Sequence, residues 1–476
     1  MSQSDDNWAA NSNDALVVTL VTSSPTGSKT VTSFNPKFTY PIFGEDERIF
    51  GYQDLKINLR YNANDMRPNL AISFSKKFTA VGDTEPADIE GLLKPFLPQV
   101  AFQKEREFET AIQQVSPSWT PPGKLVLSYN TKDGTYEIWK GSLADPAIKQ
   151  LVTRIQILVS LLIEAGMPID TEGSDLDRWT VYFLYRKQPV RGETDQFSYM
   201  FAGYCTVYRF FLYQPPTPPP SPSEAAPAVK EDLDLGDGNF DLCELPCRSR
   251  ISQFMVIPPF QGKGHGPKLY SSIFQDYLNH PQTVEITVED PNEAFDDLRD
   301  LSDLTFLRTL PEFNELRLNT DLSIPKDGLV PRNIVVPETA EAVRRKFKIA
   351  PRQFARVLEM HFMSKLHDVV RPGISPERSA KGKATEKQQL EYKLWKLLVK
   401  QRLYRQNRDT LGQLELPVRI EKLQETLGSV EFEYARLLAM LEGRQQQETT
   451  GNHAAKRKLD ETAETPESKK ARVEDA

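Results

Sequence analysis

The chain has 476 residues, 39% hydrophobic and 10% aromatic, with a formal charge of −7. That is enough apolar material for two or three domain cores. No dominant basic patch precedes residue 340, which argues against general nucleic-acid binding and permits basic protein substrates.

Residues 1–15 are polar and are expected to be disordered. From 16 to 140, short β-rich runs such as 16–21 and 124–129 alternate with turns, which predicts an amino-terminal mixed α/β domain. Within it Glu45, Asp46 and Glu47 form an acidic turn before a strand. A second domain is expected over 141–310. It holds an apolar run before Glu164 and aromatic-rich runs over 177–185 and 203–213. Taken alone, Glu164 is a helix-end charge. Trp179 and Tyr208 are strand aromatics that suit a core as well as a ligand.

Residues 214–247 interrupt this domain with a proline run, then a stretch holding Glu231, Asp232, Asp234, Asp237, Asp241 and Glu244. Such a segment is a solvated insertion, and lengthening a surface loop costs little entropy. Of three cysteines, Cys243 and Cys247 fall in this linker with too few ligands for structural zinc, and Cys205 falls in a strand. The chain is expected to be a reduced intracellular protein. No signal peptide is expected, and no run of about 18 apolar residues could span a membrane.

The most informative run follows. An apolar strand through Phe254, Met255 and Val256 ends at Pro258-Pro259. Next come Gln261, Gly262, Lys263, Gly264, His265, Gly266 and Pro267, then a helical pattern with Leu269, Ile273, Phe274, Tyr277 and Leu278. Glycines let successive backbone N–H groups approach a ligand, and a helix start attracts phosphate. Pro267, near the first helical turn, removes an N–H that the helix would leave unpaired anyway. The G-x-G-x-x-G dinucleotide pattern is absent, as is the Lys-Ser or Lys-Thr of a P-loop.

A β-rich run over 284–288 then ends at Glu289-Asp290-Pro291. Pro291 stops the strand, and Asn292 can cap the helix that carries Phe295. Carboxylates at a strand end are placed for chemistry. Neighbours on a strand point to opposite faces, so Glu289 and Asp290 are not expected to share one role unless the strand has already broken there. A charged helical module is expected over 311–443, where Arg344-Arg345-Lys346 reads as a solvated face. A disordered tail is expected over 444–476. Lys456-Arg457-Lys458 and Lys469-Lys470-Ala471-Arg472 in that tail have the spacing of a bipartite nuclear import signal.

The strand followed by Gln-Gly-x-Gly-x-Gly resembles the acetyl-CoA site of the GNAT superfamily. Pro-Phe-Gln-Gly-x-Gly-His-Gly, with the later Glu-Asp-Pro, resembles the type B histone acetyltransferase catalytic subunits, in a fungal-like form. The resemblance spans residues 35 to about 360 and is strongest over 158–299. It implies an α/β fold, with a GNAT-type central twisted mixed sheet flanked by helices. It implies acetyl transfer from acetyl-CoA, without a metal, to lysine in the tail of newly made histone H4 for chromatin assembly.

The same resemblance implies Glu289 as general base, with Asp290 and Glu164 as further active-site carboxylates. It places Phe254, Met255, Val256, the run 261–267, Asn292 and Phe295 at the cofactor. It places Glu45, Asp46, Glu47, Trp179, Tyr208, Arg209 and Phe210 along the histone tail. A WD-repeat histone-binding subunit is implied as partner, with neither nucleic acid nor membrane. Cytoplasmic and nuclear localisation is expected. Two other functions fit the same residues: acetylation of a different amine, such as a protein amino terminus or a polyamine, and non-catalytic escort of histones by an acyl-CoA-binding chain.

Overall fold

The computed structural model describes residues 8–24, 27–190, 196–212, 245–324, 330–374 and 383–463, with side chains described as far as residue 443. The chain divides into two compact units, Met1–Asp296 with Phe347–Ala350, and Asp297–Lys346 with Pro351–Ala476. The expected 16–140 domain and the later α/β domain are therefore one unit. The division towards the helical module falls within the helix Glu293–Leu307, ahead of residue 310.

A six-stranded mixed sheet organises the first unit. Its order is Thr283–Val288, Cys247–Val256, Phe197–Phe211, Trp179–Pro189, Gly134–Ser142 and Lys124–Thr131. Only the first pair runs parallel, and the helix His265–Asn279 makes the crossover that a parallel pair requires. The α/β fold with a central mixed sheet is thus present. The hairpin Lys124–Ser142 belongs to this sheet, so the expected boundary at 140 cuts through it. Its alternation resembles that of the earlier strands, and periodicity does not name a strand's partner.

A four-stranded sheet lies amino-terminal to it, ordered Gly27–Phe34, Leu16–Ser24, Lys56–Asn62 and Pro68–Ser73. The helix Pro146–Leu162 is apolar on most of its surface and correspondingly buried. Asp145 caps it by accepting from the Ala147 N–H at 2.8 Å. Tyr61 of the four-stranded sheet donates to its Arg154 carbonyl at 3.0 Å. Cys205 is buried as expected, and Cys247 is a buried strand residue, not part of a linker. Cys243 and most of the 214–247 insertion lie outside the described residues.

The second unit is helical and stapled by buried charge. Glu359 accepts from Arg402 Nε at 2.9 and 3.0 Å and from the Tyr434 hydroxyl at 2.9 Å. Asp300, fully buried, accepts from Arg356 Nη2 at 2.6 Å. Arg344 and Arg345 both pair with Glu341 and Lys346 pairs with Glu312, while Arg345 and Lys346 stay exposed as expected of a solvated face. The last helix, Leu416–Ala463, overruns the expected disorder from 444. That stretch is poor in apolar residues but rich in Gln, Glu, Ala, Lys and Arg, which favour helix without a core. Residues 464–476 lie outside the described residues. No helix among the described residues is long and apolar enough to cross a membrane.

Candidate active site

The site begins where two strands part. Pairing between Cys247–Val256 and Thr283–Val288 stops at Ile251 and Val288, with one further bond from the Glu289 N–H to the Ile251 carbonyl at 2.8 Å. On the other side, Cys247–Val256 stays paired as far as Val256 with Gly203. Residues 252–256 therefore have a strand neighbour on one side only. Met255 and Val256 are buried. Phe254 packs its ring edge-on against Phe295 at 4.9 Å, and Phe295 meets Tyr270 at 6.0 Å.

The glycine turn follows directly. Gly262 and Gly264 take φ of 72° and 83°, the left-handed region that side chains disfavour. A Cβ placed on either would meet nothing within 4 Å, so the backbone there is an open cradle. Gly264 caps the helix His265–Asn279 without any side-chain capping bond. The first helical N–H groups are thus left for a ligand. Gln261 faces inward through its amide, which donates to the Val256 carbonyl at 2.6 Å, and Lys263 pairs with Asp133 at 3.3 Å. Gly266 and Pro267 lie in the first helical turn. The His265 side chain points away from the turn. It is 1% exposed, bonded to the Tyr129 hydroxyl at 3.0 Å and packed 4.0 Å from the Tyr136 ring. Only its backbone is presented to a ligand. Asn292 accepts from the Phe295 N–H at 2.9 Å and so caps the next helix.

Glu289 sits on the flank of the parting strands. Arg250 Nη2 donates to its Oε1 at 2.9 Å, and the Ser252 hydroxyl donates to its Oε2. The pair is partly open to solvent, at 35% and 38% of each side chain. Asp290 has a φ of 33° and an exposed side chain, so the strand has already broken there. Glu164 is exposed just beyond the helix Pro146–Leu162, with no hydrogen-bond partner among the described residues. The structure gives the three carboxylates three different surroundings.

Directly paired residues on neighbouring strands share a face of the sheet. Trp179 pairs with Tyr208, and Tyr208 with Arg250. Their face continues to Glu289 through the Arg250 guanidinium. Trp179 and Tyr208 meet at 4.7 Å, Tyr208 and Phe210 at 4.6 Å, and Arg250 lies 4.3 Å from the Phe210 ring. The Tyr208 hydroxyl donates to Asp175 at 3.0 Å. These aromatics are half-buried, and Phe210 is exposed, so they line a surface rather than fill a core. Arg209 instead donates to the Asp177 carbonyl at 2.7 Å.

In the acidic turn, Glu45 and Asp46 are exposed, but Glu47 is engaged. Its carboxylate accepts from the Thr39 N–H at 2.7 Å, the Tyr40 N–H at 3.1 Å and the Asn13 amide at 2.6 Å. The Thr39 N–H is the main cause that holds this carboxyl below its ordinary range. Glu47 therefore secures the short helix Tyr40–Phe43 and is not a free contact for a cationic tail.

Sequence reasoning missed Arg250, Ser252 and Gln253 as site residues. Gln253 donates to the Met167 carbonyl at 2.6 Å and accepts from Tyr204, joining the turn after Glu164 to the parting strand. The run Arg-Ile-Ser-Gln before the apolar strand end holds three polar residues in an otherwise buried strand, and that was the available signal. Among the described residues, no group of three or more His, Cys, Asp or Glu could hold a metal ion.

Two family models match this chain. "Histone acetyl transferase HAT1 N-terminus" covers residues 8–164, and "Fungal HAT1, C-terminal" covers 317–367. Curated relatives named histone acetyltransferase type B catalytic subunit match nearly end to end. The Neurospora crassa protein is 50% identical over 99% of each chain. That of Gibberella zeae is 51% identical over 98% of this chain and 99% of its own, and that of Pyricularia oryzae 51% identical over 99% of each. A solved aminoglycoside acetyltransferase from a soil metagenome aligns over 41% of this chain at 13% identity, with a TM-score of 0.20 that carries no weight.

Proposed function

This chain belongs to the family of type B histone acetyltransferase catalytic subunits and is a histone acetyltransferase; from that premise we propose that it acetylates lysine ε-amines in the amino tail of free, newly made histone H4, using acetyl-CoA. The observation that carries this reading is the parting of two strands beside Glu289, with the open glycine turn at the end of the same strand.

The turn's backbone from Gln261 to Pro267 holds the pyrophosphate of acetyl-CoA at the helix start. The thioester lies along residues 254–256, where strand pairing is one-sided. A lysine ammonium has a reference pKa near 10.4, and only its neutral form attacks. Glu289 accepts its proton directly or through water, while Arg250 and Ser252 hold the carboxylate in place. The nitrogen lone pair forms a bond to the acetyl carbon. A backbone N–H of residues 254–256 steadies the oxyanion. The carbon–sulfur bond breaks, the thiolate of coenzyme A leaves, and the second proton lost by the nitrogen as it becomes the amide neutralises that thiolate. The tail lies over Trp179, Tyr208 and Phe210, with Glu45 and Asp46 facing its cations.

We also propose that a WD-repeat histone-binding subunit partners the chain and that it works in both cytoplasm and nucleus. The basic clusters at Lys456-Arg457-Lys458 and Lys469-Lys470-Ala471-Arg472 would serve as the import signal. The deciding assay uses purified chain, labelled acetyl-CoA and mixed free histones, with the labelled lysine mapped. Label in the H4 tail is expected. Label on another amine, or none, sinks the substrate assignment. Glu289→Gln should reduce turnover about 10²–10⁴-fold with acetyl-CoA affinity kept within a few-fold. Equal turnover at pH 7.5 would move the base to Glu164 or Asp290.

A further inference from the structure

We infer that Tyr129, Asp133 and Tyr136, on the hairpin Lys124–Ser142, are positioning residues for the acetyl-CoA turn and act on it through His265 and Lys263. The inference rests on reading that turn as the pyrophosphate site.

The turn needs such a device. A Cβ placed on Gly262 or Gly264 would meet nothing within 4 Å, so no neighbour packs over the turn on that side. A loose loop of N–H donors must be ordered when an anion binds, and that ordering subtracts from affinity. On its upstream side the turn is held by the Gln261 amide on the Val256 carbonyl. On its downstream side it is held by the hairpin, from a strand pair more than a hundred residues earlier in the chain.

Two contacts make that downstream hold. The Tyr129 hydroxyl and His265 Nδ1 lie 3.0 Å apart, and the imidazole packs beside the stacked tyrosine rings, 4.0 Å from Tyr136 and 6.1 Å from Tyr129. Burial lowers the basicity of His265 and raises the pKa of the Tyr129 phenol, so a neutral ring faces a neutral hydroxyl. The second contact is Lys263 on Asp133. Asp133 is itself fixed, accepting from the Thr131 hydroxyl at 2.5 Å and the Tyr136 hydroxyl at 3.0 Å. Its carbonyl accepts from Arg186, which ties the hairpin tip to the next strand. His265 directly follows Gly264, and Lys263 directly precedes it, so both side chains flank the open cradle.

Asp133 gives the inference an unusual sign. It carries the same charge as a pyrophosphate. Simple repulsion predicts that removing its charge tightens acetyl-CoA binding, whereas positioning predicts the reverse. Calorimetry and steady-state kinetics on Tyr129→Phe and Asp133→Asn in the full chain decide between them. Each variant should raise the Kd and KM for acetyl-CoA about 3–10-fold, the worth of roughly one hydrogen bond. Turnover at saturating acetyl-CoA and the KM for free histones should stay within two-fold. Unchanged or tighter acetyl-CoA binding in the folded variants overturns the inference, and so does a loss of turnover with KM intact. Gly264→Asp tests the underlying reading separately: if it too leaves acetyl-CoA binding intact, the assignment of the turn itself has failed.

Discussion

Glu289 and Glu359 are bound alike and placed differently. Each accepts from one arginine and one hydroxyl, Arg250 with Ser252 at the parting strands and Arg402 with Tyr434 in the helical unit. Glu289 is 38% exposed, Glu359 only 2%. Near water, an ion pair is screened and is worth roughly 0–1 kcal/mol, so its members can exchange partners. In the interior, the same pair is locked, because a lone charge left there is costly. Depth, not bonding pattern, separates the carboxylate proposed to accept the proton from the one that holds helices together.

The largest test of that distinction is Glu359→Ala. It should cost about 3–5 kcal/mol in denaturant unfolding, because Arg402 is left buried without its partner. Replacing both residues with leucine should restore much of the loss. A cost under about 1 kcal/mol for the single change would mean that depth is not what divides the two sites.

Next comes a carboxylate placed where none belongs. Gly264→Asp sets a negative charge in the open turn and should weaken acetyl-CoA binding by about 2 kcal/mol or more, as charged hydrogen bonds go unmade. The φ of 83° strains any side chain there, so Gly264→Ala serves as the uncharged control. Calorimetry should show the alanine variant binding more tightly than the aspartate one. Equal losses would assign the effect to backbone strain alone.

The smallest effect belongs to Glu47, which like Glu289 is half-buried. The Thr39 N–H holds its folded pKa below the ordinary value of 4.5. A depressed folded pKa contributes stability above the unfolded value, lost as pH falls through the folded one. Glu47→Gln should therefore flatten the parent's loss of stability below about pH 4.5, by about 1 kcal/mol at most. Thermal melts from pH 6 to pH 3 should converge for parent and variant at the acid end. Parallel curves would remove Glu47 from the pH response.

Much of the site was legible because it is local. The strand end, the glycine turn, the helix beginning at His265 and the Asn292 cap each depend on a few adjacent residues. The expectation that Asp290 parts from Glu289 in role assumed an unbroken strand, and a φ of 33° at Asp290 shows the strand broken there. Family resemblance pointed to Glu289, to the aromatic face and to the turn that includes His265. It missed that Tyr129 and Tyr136, from a distant hairpin, would draw that ring inward. Arg250 and Ser252 lie 39 and 37 positions before Glu289, and no sequence period connects them to it.

By itself the sequence determined which segments could turn, extend or coil, since glycine, proline, β-branched and capping residues act within a turn or two of themselves. It also determined where a phosphate could meet backbone. Tertiary structure decided strand partners and depth. It joined the hairpin Lys124–Ser142 to the six-stranded sheet, turned Glu47 inward and left Glu45 and Asp46 outside. It also set Glu289 at a half-open edge while sealing Glu359. The physical reason is range. Backbone preference is settled by neighbours in the chain, but the fate of a carboxylate depends on donors and covering atoms that arrive from elsewhere in the fold.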